Sequence, residues 1–156
     1  MDTLIKLQQY FERNNAPYKV LLHEEVYTAQ ELAQALHTPG DALVKVVIVK
    51  ADGTYRMAVL PASRRIDLEA LKKNWNAGAV AIASEREFKN LFPEAEIGAM
   101  PPFGNLYNIE VWVDTTLTTD DHITFNAGTH YKAVRMRYSD FERLVRPRVA
   151  SFSVRI

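Results

Sequence analysis

A lysine stands near the centre of the apolar run LVKVVIVK, which covers residues 43–50. Successive side chains of a strand point to opposite faces, so Lys45 shares its face with the aliphatic residues Leu43 and Val47. An unpaired ammonium group is costly to bury. Lys45 therefore either extends its amine past Leu43 into solvent, or projects it into a pocket to meet an anionic or carbonyl group of a ligand. A Schiff base is a further chemical option, but no phosphate-binding motif accompanies the lysine.

Two glycine-containing loops are candidates for holding a reacting group. The first, EIGAMPPFGNL, contains Gly98, Pro101 and Pro102; glycine permits close backbone approach, and proline stiffens a loop. Such a loop either presents backbone amides to a carbonyl or phosphate oxygen, or is a turn that only joins a helix to a strand. The second loop, FNAGTHYKAV, places Gly128 and His130 between two strands. A lone histidine beside a turn is more often a surface residue than a catalyst.

Strand-like runs supply the framework for these residues. In chain order they are YKVLL, LVKVVIVK, TYRMAVL, AVAIA, NIEVWVD, HITFN and YKAVRM. The pair Asp52-Gly53 lies between the second and third runs, and Asp-Gly is a strong hairpin signal. We therefore expect the strand over residues 43–50 to pair antiparallel with the strand over residues 54–60.

Helix starts are indicated by capping residues. Thr28, Ser84 and Ser139 are each followed by glutamate at the third position, which is the spacing of a capping box. Asp2 and Asp67 are further N-cap candidates. Helices interleaved with hairpins predict one α/β domain over residues 1–156, with a mixed sheet.

Composition excludes several classes of protein. Nineteen basic and nineteen acidic side chains in 156 residues give a net charge of zero, which argues against tight non-specific nucleic-acid binding but allows contact through a local patch. The absence of cysteine excludes disulfides, thiolate catalysis and cysteine-ligated metals. No His/Asp cluster has metal-ligand spacing, so neither a metal nor another cofactor is expected. MDTLIKLQQYFERNN predicts an amphipathic helix rather than a signal peptide, and no apolar run approaches the ~20 residues of a membrane span. A cytoplasmic protein is expected.

Four motifs in their order along the chain carry a family resemblance. They are HEEVYTAQE, LVKVVIVKADGTYRMAVLPASRRIDLEAL, GAMPPFG and FNAG. The chain resembles the YbaK/prolyl-tRNA synthetase-associated editing-domain family of free-standing aminoacyl-tRNA deacylases from Leu22 to Pro147. The resemblance implies a mixed, mostly antiparallel sheet that forms a partly open barrel surrounded by helices. It also implies hydrolysis of the ester between a wrong amino acid and the 3′-terminal ribose of tRNA, with proline tRNA as the expected type.

The same resemblance assigns roles to residues. Lys45 matches the family's active-site lysine, which positions the 3′ end of the mischarged tRNA through phosphate or ester. Gly98 and Pro102, with Pro101 as a competing alignment, match the family's Gly-x-x-x-Pro loop, whose backbone holds the ester or the attacking water. His130 falls where some relatives carry a pocket-lining histidine that could orient water or the ribose hydroxyl. The turn at Gly128 belongs to the same expected site.

Substrate selection is expected to depend on the pocket walls around Lys45. Leu43 and Val47 would contribute, together with the helix after Thr28. Relatives that remove alanine from proline tRNA often have asparagine where this chain has Val46. A pocket discriminates one methylene by only about 1–3 kcal/mol, so the sequence leaves the amino acid open.

Basic side chains are the candidates for contact with tRNA phosphates. They are Arg64, Arg65, Lys72 and Lys73. At zero net charge the alternative is that these are ordinary solvated charges. The expected partners are mischarged tRNA and, as an option, a synthetase that delivers it. The alternative function is a non-catalytic module of the same fold that binds aminoacyl-tRNA or another small ligand.

Overall fold

Helices are interleaved with runs of two or more strands and with single strands along the chain. The structure, a computed structural model, describes residues 2–24, 31, 34–36 and 42–156. The α-helices that lie wholly within these residues are α1 (Thr3–Arg13), α2 (Leu68–Asn74), α3 (Glu85–Leu91) and α4 (Tyr138–Val145). The strands are β1 (Tyr18–Leu22), β2 (Val44–Ala51), β3 (Thr54–Pro61), β4 (Arg64–Ile66), β5 (Val80–Ile82), β6 (Glu110–Asp114), β7 (His122–Asn126), β8 (Lys132–Arg137), β9 (Arg148–Ala150) and β10 (Ser153–Arg155). None of the helices in the described part of the chain is long and apolar enough to cross a membrane.

The hairpin of β2 and β3 lies at the centre of a five-stranded sheet of order β5-β2-β3-β6-β9. β2 and β3 pair antiparallel, from Val44 opposite Pro61 to Ala51 opposite Thr54, which confirms the predicted hairpin. Asp52 has a φ of 48° and Gly53 a φ of 86°, as a tight hairpin turn requires. β6 pairs parallel with both β3 and β9, so the sheet is mixed.

The remaining strands form two smaller sheets. β1, β8 and β7 make an antiparallel sheet in that order, and β4 pairs with β10. A parallel bridge between Leu43 and Thr124 joins the start of β2 to β7. The predicted mixed, mostly antiparallel α/β domain is confirmed. The described strands, however, divide among three sheets, and these sheets do not close into a barrel.

Core packing explains why β2 is apolar on both faces. On one face, Val44 and Ile48 belong to the main core, which also contains phenylalanine rings in tilted and edge-to-face contact. On the other face, Val49 packs against Leu71 of α2 and against Phe152 in a second cluster. A strand covered on two sides cannot expose an alternating polar face.

Three of the predicted helix caps are present. Asp2 accepts a hydrogen bond from the Leu4 amide, and Asp67 caps α2 in the same way. Ser84 and Glu87 form the complete capping box of α3.

The predicted start at Ser139 is wrong, and the one at Thr28 lies outside the described residues. α4 begins one residue before Ser139, at Tyr138, and its N-cap residue Arg137 makes no side-chain cap. The Tyr138 side chain is buried in the main core, and its amide donates to the Asp121 carbonyl. These contacts set the helix start ahead of the serine.

Candidate active site

Lys45 lies in β2 between the two cores. Its side chain is on the same face as Leu43, which is fully buried, and Val47. The lysine is half-buried, and this burial lowers the pKa of its amine. Among the described residues, no carboxylate or hydrogen-bond acceptor pairs with the amine. An uncompensated cation at this depth is suited to binding an anionic or carbonyl group.

Asn126 lies on the same face of the bridged strands as Lys45. Residues bridged between strands point their side chains to one side, and Leu43 is bridged to Thr124. Lys45 and Asn126 each follow the bridged residue of their strand by two positions. Side chains two positions apart in a strand point to the same face, so Lys45 and Asn126 point to the face of Leu43 and Thr124. The Asn126 side-chain oxygen is buried, with no hydrogen-bond partner among the described residues. Asn126 was not predicted as a site residue, although a polar side chain that ends a strand beside the Ala-Gly turn was a usable signal.

The two glycine-containing loops are joined by hydrogen bonds. The Glu96 amide donates to the Gly128 carbonyl at 2.8 Å, and the Gly128 amide donates to the Ala99 carbonyl at 2.9 Å. The His130 Nε2 lies 2.8 Å from the Ile97 carbonyl, and the His130 amide donates to the Glu96 carboxylate at 3.1 Å. A carbonyl can only accept, so the histidine donates from Nε2. The loop around residues 96–99 is therefore held by the turn at residues 128–130.

Both glycines have backbones that favour glycine. Gly98 has a φ of 82°, and a Cβ there would lie 3.8 Å from His130 Cε1, so the two residues are adjacent. Gly128 has a φ of 94°, and a Cβ there would lie 2.5 Å from the Cβ of Thr3. Helix α1 therefore packs directly against the backbone of the second loop. His130 itself is buried, with 6% of its surface exposed, whereas Gly98 is exposed.

The prolines of the first loop lie deeper than its glycine. Pro101 and Pro102 are both buried. The Pro101 carbonyl accepts a hydrogen bond of 2.8 Å from the Phe103 amide, and Phe103 packs at the centre of the main core. The prolines therefore anchor the loop to the core.

A cavity of about 260 Å³ lies between β2, α3 and the Gly98 loop. Its walls are formed by Val46, Val47, Ile48, Ile82, Ala83, Ser84, Glu85, Phe88, Ile97 and Gly98. Three consecutive residues of β2 contribute to it, although their side chains alternate between faces. The cavity therefore meets β2 along the edge of the strand.

This edge presents unpaired backbone groups at Val46. The Leu43 carbonyl points toward β3, where it accepts from Ala62, so by alternation the Val46 amide and carbonyl point away from β3. On that outer edge the Ile48 carbonyl accepts from Ala83 at 2.9 Å. Between this bond and the bridge at Leu43, no partner pairs with the Val46 backbone in the described part of the chain. Val46 therefore offers one donor and one acceptor beside the cavity.

The expected site residues thus fall into three groups. Val46, Val47 and Gly98 line the cavity, and His130 lies next to Gly98 without lining the cavity itself. Leu43 and Lys45 lie on the adjoining face of β2, and the buried prolines lie outside the cavity wall.

The expected tRNA-binding residues lie on β4 and α2. Arg65, Lys72 and Lys73 are exposed. The Arg64 guanidinium, in contrast, donates to the Ser153 hydroxyl at 2.6 Å and to the Ser153 carbonyl at 3.0 Å. These bonds join β4 to β10, so Arg64 has a structural partner.

The order of these motifs agrees with one protein family. A sequence model described as the aminoacyl-tRNA editing domain matches residues 23–144, which include Lys45, both loops and the cavity. The chain belongs to the aminoacyl-tRNA editing domain family. The predicted family is confirmed.

Relatives of this editing domain include free-standing and fused proteins. The chain is 26% identical over 152 residues to the multifunctional Ser/Thr-tRNA deacylase ProXp-y of Escherichia coli K12, covering 94% of this chain and 90% of that protein. It is 34% identical over 85 residues to the proline–tRNA ligase of Staphylococcus aureus strain Newman, covering 54% of this chain but 14% of the ligase. The crystal structure of a candidate trans-editing enzyme for prolyl tRNA synthetase superposes with a TM-score of 0.85 at 21% identity, covering 99% of this chain and 98% of that one. The last comparison shows that the fold is shared.

Proposed function

We propose that this editing domain hydrolyses the ester bond of a mischarged tRNA, with proline tRNA as the expected type. The observation that carries the proposal is the uncompensated Lys45 ammonium beside a cavity with an open strand edge at Val46. Family membership supports hydrolysis as the reaction class. We place the activity in the cytoplasm, on tRNA that a synthetase has released.

The chemistry requires a water molecule to attack the carbonyl carbon of the ester. The bond between that carbon and the ribose oxygen breaks, the ribose oxygen takes up a proton, and free amino acid leaves. Lys45 would bind the 3′-terminal phosphate or the ester oxygen as a point charge. The Val46 amide would donate to the ester carbonyl as negative charge develops there, which is the role of an oxyanion donor.

The remaining residues would hold and shape the site. Gly98 would let its loop approach the ester closely, and His130 would act through its bond to Ile97 as a positioning residue. Asn126 would orient a hydroxyl or amine of the substrate. The cavity, at about 260 Å³, is of a size for a small aminoacyl group. Serine and threonine are the first candidates, since the E. coli relative is a Ser/Thr-tRNA deacylase.

The test is deacylation of proline tRNA charged with alanine, serine, cysteine or threonine. We expect one or more esters to be hydrolysed by the wild type. Lys45→Met, which keeps the apolar stem, should lose about 100-fold or more in rate, as when an oxyanion donor is removed. Lys50→Met is the matched control, because Lys50 is an exposed lysine of the same strand whose partner is Glu87.

Two results would contradict the proposal. Full activity in Lys45→Met would exclude the lysine from the reaction. Tight tRNA binding without hydrolysis of any ester in the panel would favour the non-catalytic binding module instead.

A further inference from the structure

A second groove runs along the outer face of the three-stranded sheet. It has a volume of about 480 Å³ and is lined by Pro17, Tyr18, Lys19, His122, Arg135, Met136 and Arg137. Strand register places Lys19 directly opposite Arg135, and His122 directly opposite Arg137. Directly paired residues share a face, and the two pairs are two residues apart, so all four side chains lie on one face.

Two of these cations have no counter-charge among the described residues. Lys19 and Arg135 are exposed, and like charges directly opposite each other in a sheet destabilise it. Within the described residues neither forms an ion pair with a carboxylate. Arg137 differs, because its Nε lies 3.1 Å from the Asp140 carboxylate. A bound anion would therefore relieve the repulsion between Lys19 and Arg135.

The groove shares its face with the candidate active site. The strand register pairs Lys19 with Arg135 and Arg135 with Thr124, and the bridge pairs Thr124 with Leu43. These four residues therefore form one row across the joined strands. Adjacent strands lie about 4.8 Å apart, so Arg135 lies about 10 Å and Lys19 about 14 Å from Leu43 along the row. Lys45 is two residues, about 7 Å, further along β2. Thr124 and Leu43, which lie between these cations and Lys45 in the row, are both buried.

We propose that this groove binds the phosphates of the single-stranded nucleotides that precede the 3′-terminal nucleotide of the tRNA. The inference rests on the proposed function for its occupant, because a 3′ end held at Lys45 continues into these nucleotides. Arginine and lysine side chains are suited to phosphate oxygens. The surface is distinct from Arg65, Lys72 and Lys73, which the sequence alone indicated.

The experiment compares two substrates in the full chain carrying Lys19→Gln and Arg135→Gln. Mischarged tRNA contains the preceding phosphates, and the aminoacyl ester of adenosine lacks them. On tRNA, kcat/KM should fall by about 10-fold or more, and the slope of log affinity against log salt should become shallower by about 1.4, which is two single-strand contacts. Hydrolysis of the adenosine ester should be unchanged.

Two controls test whether a loss of activity comes from the groove rather than from lower overall charge or from impaired folding. Lys89→Gln with Arg155→Gln removes one exposed lysine and one exposed arginine from other elements. This variant should hydrolyse both substrates at the wild-type rate. The melting temperature of the groove variant should be equal to or above that of the wild type, because a like-charge pair is removed. Equal losses on both substrates, or an unchanged salt slope, would overturn the proposal.

Binding of a labelled oligoribonucleotide with the tRNA 3′ sequence distinguishes the two proposals. If the wild type hydrolyses no ester but binds this RNA, and the groove variant binds it more weakly with a shallower salt slope, the groove is supported and the deacylase is not. If the groove variant binds as tightly as the wild type, the groove is excluded whatever the activity.

Discussion

Replacing Gly128 with alanine should destabilise the protein far more than the same change at Gly53. Both glycines have left-handed backbones, with φ of 94° and 86° respectively. An L side chain in that region costs about 1–2 kcal/mol at either position. The neighbours differ: a Cβ at Gly128 would lie 2.5 Å from the Thr3 Cβ, whereas a Cβ at Gly53 would have nothing within 4 Å.

The steric cost of a methyl group at Gly128 is therefore measured by the difference in stability between Gly128→Ala and Gly53→Ala. Forcing a methyl group into a packed site costs about 1–3 kcal/mol. At this chain length 1 kcal/mol corresponds to about 2–4 °C, so Gly128→Ala should melt about 2–12 °C below Gly53→Ala. The entropy that alanine removes from the unfolded chain is the same in both and cancels. Thermal unfolding followed by circular dichroism measures the difference.

The same substitution should also reduce activity. Gly128 exchanges backbone hydrogen bonds with Glu96 and Ala99, so a displaced Gly128 moves the Gly98 loop. Adding Thr3→Gly should recover part of both losses by making room for the methyl group. Equal melting temperatures for Gly128→Ala and Gly53→Ala, within about 1 °C, would refute the contact between α1 and the loop.

Two further predictions concern a buried carboxylate and the open strand edge. Burial raises the pKa of Asp114, but hydrogen bonds from Thr116, Phe152 and Ser153 outweigh it and leave the pKa below its usual value. The ionised Asp114 carboxylate therefore stabilises the folded state above the pH at which an unfolded aspartate titrates, about 3.9. This contribution to the unfolding free energy is lost as the pH falls through the lower pKa of the folded state. Asp114→Asn should weaken this acid dependence of the unfolding free energy, measured with urea, and an unchanged profile would contradict the assignment. Val46→Pro removes the edge amide together with the valine side chain, which packs against the main core, and should slow ester hydrolysis by about 100-fold. Val46→Ala truncates the same side chain but keeps the amide, so it should retain most activity; equal rates for the two variants would exclude the amide as a donor.

Local sequence signals predicted much of the fold. Apolar runs on either side of the Asp-Gly pair located β2 and β3, and serine and aspartate located three helix starts. The prediction that Ser139 caps α4 was wrong because tertiary burial of Tyr138, rather than cap chemistry, determines where this helix begins. The short strands β4, β9 and β10 have three residues each, too few for a period to be recognised.

The site was predictable only where a residue type stood out from its own neighbours. Lys45 did so, because a charge interrupts an apolar strand. Asn126 and the pair of Lys19 and Arg135 depend on which strands are adjacent and in what register, which the sequence does not give. The hydrogen bonds between the two loops likewise join residues about 30 positions apart.

The way the two loops are joined has a consequence for divergence within the family. Two of the joining bonds run from backbone to backbone, between Glu96, Gly128 and Ala99, and therefore do not depend on side-chain identity. Mutation can change the side chain at Ile97, which lines the cavity, while the main chain keeps its path. The loop can thus acquire a new preference through single substitutions, without passing through intermediates that have lost the scaffold.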